Sequence, residues 1–354
     1  MNNLQVRPAS QARLSGKRLC RAVCTSALLV GCALLASCHR SPISIATAAQ
    51  AAPAELQAPE IRFERVMDRV KRNGHTSVID GVEVKPKDWP GLLMAEISKL
   101  EPDGSVRHLI CTATLIGPSV ILTAAHCVDG RAGSAVSRIK LDLPDLPDPI
   151  PATCEMHPLY AAAHVPAEDT PRNSSDYALC KLETDLSTLP AYQMLEYDVI
   201  DRVTAPALEK AVLVTGYGCT EVKLNPSCKP IFGDPVVTMR AGNARISALP
   251  APGPEQDYVQ SKSKTPADAA LCAGDSGGPL VAGATLQAPN LKRRLIGVNS
   301  SIAFPTCKSD DLVSRFSALA TPEFRTFSDD WEQRNGKPVV CGVTRDAGKW
   351  PCRG

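Results

Sequence analysis

Ser276, at the centre of residues 271–280 (Leu-Cys-Ala-Gly-Asp-Ser-Gly-Gly-Pro-Leu), constrains this chain more than any other feature, because every histidine lies before it. A serine hydroxyl is a weak nucleophile at neutral pH and needs a base to take its proton and amide donors to hold the resulting oxyanion. Gly274, Gly277 and Gly278 supply the backbone freedom for such donors. The stretch also fits G-x-S-x-G, the nucleophile elbow of α/β-hydrolases, whose chain order is Ser, acid, His. His39, His75, His108, His126, His157 and His164 all precede Ser276, so that reading fails. The base must come from upstream. Residues 121–127, Ile-Leu-Thr-Ala-Ala-His-Cys, offer His126, and residues 175–182, Ser-Asp-Tyr-Ala-Leu-Cys-Lys-Leu, offer Asp176 to orient it.

Together, Thr-Ala-Ala-His-Cys, Asp-Tyr-Ala-Leu-Cys-Lys-Leu and Gly-Asp-Ser-Gly-Gly-Pro resemble the trypsin/chymotrypsin-like serine endopeptidases, over roughly residues 78–331. The resemblance implies an all-β fold of two six-stranded antiparallel β-barrels with a C-terminal helix. It implies catalysis of peptide hydrolysis by Ser276, His126 and Asp176, with an oxyanion hole from the N–H groups of Gly274 and Ser276 and with Ser300 touching Asp176. No cofactor or metal is implied. The substrate would be a protein or peptide, bound against the strand that ends in Gly297-Val298-Asn299-Ser300. The other histidines are expected to be structural or on the surface.

Activation and specificity follow from the same resemblance. Val78-Ile79-Asp80-Gly81 is similar to the family's mature start, with Asp80 where the first glycine stands. A freed Val78 ammonium would pair with Asp275, a carboxylate that is costly to bury alone. Ser77 occupies the cleavage position, so the activating protease is unidentified, and an idle or zymogen-like binding protein is the competing function. Ala270 falls at the pocket floor, with Ser301 and Ile302 at its rim. Ile302 would favour small aliphatic side chains. Asp310 or Asp311 would instead recruit Arg or Lys if one entered from the other wall.

Composition fixes the compartment. A net charge of +2 over 354 residues argues against a nucleic-acid partner. Residues 1–37 read as a signal peptide: basic Lys17, Arg18 and Arg21 precede an apolar stretch at 22–36, too short to span a bilayer. Leu35-Ala36-Ser37-Cys38 resembles a bacterial lipobox, which implies an exported, membrane-anchored lipoprotein lipidated on Cys38. The alternative is a soluble secreted protein cut near residues 46–48.

Of 14 cysteines, ten remain beyond Cys38, an even number suited to an oxidising compartment. The resemblance implies Cys111–Cys127 and Cys272–Cys307, and closing the short first loop is worth roughly 3 kcal/mol. Closeness in sequence suggests Cys219–Cys228 and Cys341–Cys352, which leaves Cys154–Cys180. No C-x-x-C or H-x-x-x-H pair points to a metal.

The expected organisation is a leader (1–37), a tether and pro-segment (38–77), a protease domain (78–336) and a Cys-containing tail (337–354). Barrels are expected over about 78–205 and 206–320, with a helix at 322–334. Phe63, Val66, Met67 and Val70 fall at i, i+3, i+4 and i+7, which suggests a short helix ahead of Asn73-Gly74. Short apolar runs at 92–97, 107–116, 120–125, 177–182, 211–215, 235–239, 280–282 and 294–300 suggest strands.

Overall fold

The computed structural model describes residues 60–65, 78–100, 105–129, 138–163, 174–234, 238–250, 258–263, 268–288, 292–308 and 311–353. The leader, Cys38, the tether and pro-segment apart from residues 60–65, His164 and Asp310 lie outside the described residues. In chain order the strands are β1 (Glu60–Glu64), β2 (Val82–Glu83), β3 (Leu92–Leu100), β4 (Val106–Gly117), β5 (Val120–Thr123), β6 (Arg138–Asp142), β7 (Ile150–Met156), β8 (Ala178–Leu182), β9 (Val199–Ile200), β10 (Ala211–Gly216), β11 (Val222–Leu224), β12 (Pro230–Phe232), β13 (Arg240–Ala248), β14 (Val259–Ser263), β15 (Pro279–Ala282), β16 (Arg294–Ala303) and β17 (Leu312–Ala318). The helices are α1 (Ala125–Val128), α2 (Pro158–Ala163) and α3 (Pro322–Arg334).

Two barrels result. The first closes in the order β1-β3-β4-β5-β8-β7-β6, and the second runs β10-β15-β16-β17-β14-β13 and closes through a β10–β13 pairing. Strand β2 continues the sheet beyond β13, and β9 pairs with β16. Inside the first barrel lie Ile61, Phe63, Leu93, Ala113, Leu115 and Ile121. Val212, Val214, Ile246, Leu280, Ile296 and Phe316 fill the second. Ala113 and Leu115 on β4, and Val212 and Val214 on β10, are spaced by two, the period that sends alternate side chains to one face.

The expectation of six strands per barrel needs correcting for the first, which has seven. Phe63, expected in a short helix running on to Val70, lies instead in β1, which is antiparallel to β3 and parallel to β6. Ile61 and Phe63 point inward while Glu60, Arg62 and Glu64 stay partly exposed. This two-residue alternation competes with the helical spacing, and two open strand edges decide in its favour.

Five disulfides form: Cys111–Cys127, Cys154–Cys180, Cys219–Cys272, Cys228–Cys307 and Cys341–Cys352. The expected pairs Cys219–Cys228 and Cys272–Cys307 are therefore exchanged for Cys219–Cys272 and Cys228–Cys307. The cause is the hairpin of β11 and β12. Cys219 precedes its base and Cys228 lies in the turn at its tip. A rise of ~3.3 Å per residue along β11 takes the two beyond the ~7 Å between Cα atoms that a disulfide spans.

The tail docks rather than dangles. Cys341 N–H donates to Ile116 O (2.8 Å) and Cys341 O accepts from Ile200 N–H (2.9 Å), while Tyr197 exchanges backbone bonds with Pro351 and Arg353. Helix α3 is capped by Thr321, whose hydroxyl accepts from Phe324 N–H (3.1 Å), and it buries Phe324, Phe327, Ser328 and Trp331 along one stripe.

Candidate active site

Strand β5 delivers His126. Four buried residues, Val120 to Thr123, run along the barrel and stop at Ala124, after which α1 turns the imidazole outward, half-buried. The Cys111–Cys127 bridge ties that turn to β4. Asp176, fully buried, ends the loop entering β8. Its Oδ2 accepts from His126 Nδ1 (2.7 Å) and its Oδ1 from the His126 backbone N–H (2.9 Å). Ser300 Oγ donates a third bond to Oδ2 (2.6 Å). A carboxylate held this way keeps the proton on Nδ1, so Nε2 carries the free lone pair. Cys111 and Cys127 lie beside His126, but their sulfurs are bonded to each other, which leaves one nitrogen donor and no ligand set for a metal.

Ser276 sits on the turn between Leu271 and β15, half-buried. Gly277 adopts φ +84°, and a Cβ there would lie 2.9 Å from Ala124 N and 2.2 Å from Thr112 O. The serine turn therefore presses on the first barrel two residues before His126, a fit that only glycine permits.

Three consecutive carbonyls on this turn are gripped from both barrels. Gly274 O accepts from Thr112 Oγ1 (2.9 Å), Asp275 O from Asn299 Nδ2 (3.0 Å), and Ser276 O from Thr112 N–H (2.7 Å). Ala273 O accepts from Cys219 N–H (2.9 Å). A trans peptide points its N–H opposite to its carbonyl. Fixing the carbonyls of Ala273 and Asp275 therefore turns the N–H groups of Gly274 and Ser276 the other way, and neither has an acceptor among the described residues. Thr112 and Asn299 were not among the residues singled out in the sequence. Their only signal was a polar side chain inside an otherwise apolar strand.

Asp275 is wholly buried. Its Oδ1 accepts from Gly218 N–H and its Oδ2 from Cys272 N–H, both at 2.8 Å. Burial pushes its pKa up to about 7, against the opposing pull of the Cys272 and Gly218 amides. Val78 is also buried, among Val212, Ile246 and Leu271, with φ +60°. Ile79 forms a two-way backbone bridge with Ala270 (3.1 Å each way), so the residues that follow the expected cleavage point lie against the expected pocket floor.

Ala270 shares a small apolar cluster with Val222 and Leu312, and Ile302 packs against it. Across β16 and β17, Ile302 faces Ser314, whose hydroxyl accepts from Leu271 N–H (3.0 Å). Asp311, expected as a carboxylate for the pocket, is instead ion-paired with Lys262 Nζ at 2.5 Å, which holds its pKa below the usual carboxylate range. Among the histidines, His157 is buried against Tyr177 and Phe327, and burial pushes its pKa down. His108 is exposed beside Glu96 and Ser98.

The family model described as Trypsin matches residues 78–321, more than half of the chain. This chain belongs to the trypsin family. Human granzyme M is 29% identical over 212 residues, covering 59% of this chain and 74% of its own. Among solved structures, neuropsin, a serine protease expressed in the limbic system of mouse brain, is 19% identical, with 72% of this chain and 99% of its own covered at a TM-score of 0.46. HL collagenase is 18% identical, with 73% and 98% covered at a TM-score of 0.42. The matched region of the trypsin family begins at Val78, so β1 lies outside it.

Proposed function

We propose that this trypsin-family protein is a serine endopeptidase in which Ser276 attacks the peptide carbonyl and His126 takes its proton. His126 then returns the proton to the leaving amine, and water hydrolyses the acyl-enzyme with the same histidine as base. Asp176 fixes the imidazole and stabilises its protonated form. The N–H groups of Gly274 and Ser276 receive the oxyanion, a term in which one lost donor costs about 3 kcal/mol. The observation that carries this reading is the doubly bonded His126–Asp176 pair, set beside a serine turn whose glycine packs on Ala124.

Among the described residues, Ala270, Ile302 and Ser314 around the expected pocket floor carry no charge, and Asp311 is paired with Lys262. We read the pocket's preference as an uncharged, aliphatic residue rather than Arg or Lys. Cleavage before Val78 by an endopeptidase with another specificity would free the ammonium that pairs with Asp275. Lipid on Cys38 would place the enzyme at a bacterial membrane; the lipobox supports that placement.

Fluorophosphonate labelling of the full chain, before and after processing to Val78, tests the assignment. One label per processed chain, lost in Ser276→Ala, is the expected outcome; processed chains without label would refute it. A peptide-library digest then checks the pocket, and cleavage confined to Arg or Lys would overturn the aliphatic preference. The reading of an idle or zymogen-like scaffold draws on Asp80, held at φ +58° where the family has glycine, and on a Val78 already seated in the uncut chain.

A further inference from the structure

We infer that Glu60–Glu64 is a permanent strand of the catalytic domain, so that cleavage before Val78 produces a two-chain enzyme held together without a covalent link. The inference rests on the proposed processing at that bond, which consumes one water and leaves a carboxylate on Ser77 and an ammonium on Val78.

The ground is the closure of the first barrel. Strands β3 and β6 reach each other only through β1, which pairs over its whole length with both. A strand with two paired edges cannot leave without exposing two more. Its inward side chains are core residues: Ile61 is 1% exposed and Phe63 0%. Its outward ones are paired across the sheet. Arg62 Nε contacts Asp142 Oδ2 at 2.9 Å and Lys140 Nζ contacts Glu60 Oε1 at 2.6 Å, so neighbouring charges on β6 specify this register. The trypsin-family match starts at Val78, downstream of this strand, so the seventh strand is a feature this chain adds to the family domain.

No disulfide is available for the same task. The segment between Cys38 and Cys111 contains no cysteine, and the ten cysteines from Cys111 onward are all paired with one another. Retention is therefore strand addition, with backbone bonds supplying affinity and alternate side chains supplying specificity. Whatever is attached ahead of Glu60, a lipidated Cys38 included, would stay with the enzyme after activation.

The test places an enteropeptidase site ahead of Val78 in the full chain, through Asn73→Asp, Gly74→Asp, His75→Asp, Thr76→Asp and Ser77→Lys. After complete cutting, native mass spectrometry and gel filtration should show the N-terminal fragment and the domain as one particle that separates only in denaturant. Release of the fragment from a domain that stays folded would overturn the inference. Fluorophosphonate labelling of the same sample is scored separately, so a retained fragment on an unlabelled domain would refute the protease reading and leave the strand intact. Amide exchange on the uncut chain gives a second reading. Protection over Glu60–Glu64 should match that of Leu92–Leu100, and exchange at the rate of a free peptide would sink the proposal whether or not the engineered site is cut.

Discussion

Thr112 and Asn299 take hold of the serine turn from opposite barrels, and their loss should be felt differently. Thr112→Val keeps the shape but leaves Gly274 O and Tyr217 N–H, now bonded to the hydroxyl at 2.9 and 3.1 Å, without a partner. At about 1–3 kcal/mol for each unsatisfied buried group, urea denaturation should show a loss of a few kcal/mol. Asn299→Leu removes the donor that aims the Ser276 N–H and should lower kcat about tenfold with little change in KM, short of the ~10²–10³ of a deleted oxyanion donor. A rise in KM alone would contradict that role. Asp275 makes a pH prediction. Its pKa of about 7 in the uncut chain lies above the ordinary value of 3.8. Between roughly pH 4 and 7, therefore, the native state holds a proton that the unfolded state has lost. Stability of the uncut chain should fall as pH rises through that window and level off above it, and Asp275→Asn should flatten the slope in urea titrations. The three motifs were legible because each holds a chemically required residue type in a fixed neighbourhood. Thr112 and Asn299 were not, because in sequence a threonine or asparagine within a strand looks like any other strand residue.

Among the elements, α3 packs its aromatic stripe on the residue that follows Asp176. Phe324 meets Tyr177, the residue after Asp176, edge to face at 4.9 Å, and His157 packs edge-on to Tyr177 at 5.0 Å. Phe324→Ala should cost about 3–5 kcal/mol, visible as a lowered denaturation midpoint. Activity should fall at temperatures where the protein is still folded. The helix was legible through the resemblance to the family, and it buries Phe324, Phe327 and Trp331 on one stripe. Strand β1 was not legible, since Phe63 belongs both to the helical spacing that runs on to Val70 and to the alternation with Ile61, and only the open edges of β3 and β6 choose between them. The exchanged disulfides have the same origin, because closeness in sequence said nothing of a hairpin that carries Cys228 away from Cys219.

Across the whole molecule, a buried charge cluster joins the barrels. Asp198, on the connection between them, accepts from Trp89 Nε1 at 2.5 Å and from Arg293 Nε at 2.9 Å, and the Arg293 guanidinium lies 4.2 Å from the Trp89 ring centroid. Asp198→Ala would leave Arg293 buried without its carboxylate and should destabilise the protein by about 3–5 kcal/mol, as read from the denaturation midpoint. Short apolar runs separated by turn residues made the strands legible, and the resemblance to the family implied their division into two barrels. The docking of residues 337–353 was not legible, because the backbone bonds to Ile116, Tyr197 and Ile200 that seat Val340 and Cys341 in the core are announced by no side-chain pattern.

Pre-steady-state hydrolysis of an aliphatic p-nitrophenyl ester by chains beginning at Val78, followed by peptide mapping, tests whether Ser276 is the nucleophile. A burst of one equivalent per chain and an acyl mass on the peptide bearing Ser276 are the expected result. In Asp176→Asn, acylation should slow by a factor on the order of 10⁴. Linear release with no acyl-enzyme, or an acyl group on any other residue, would contradict Ser276 as the nucleophile.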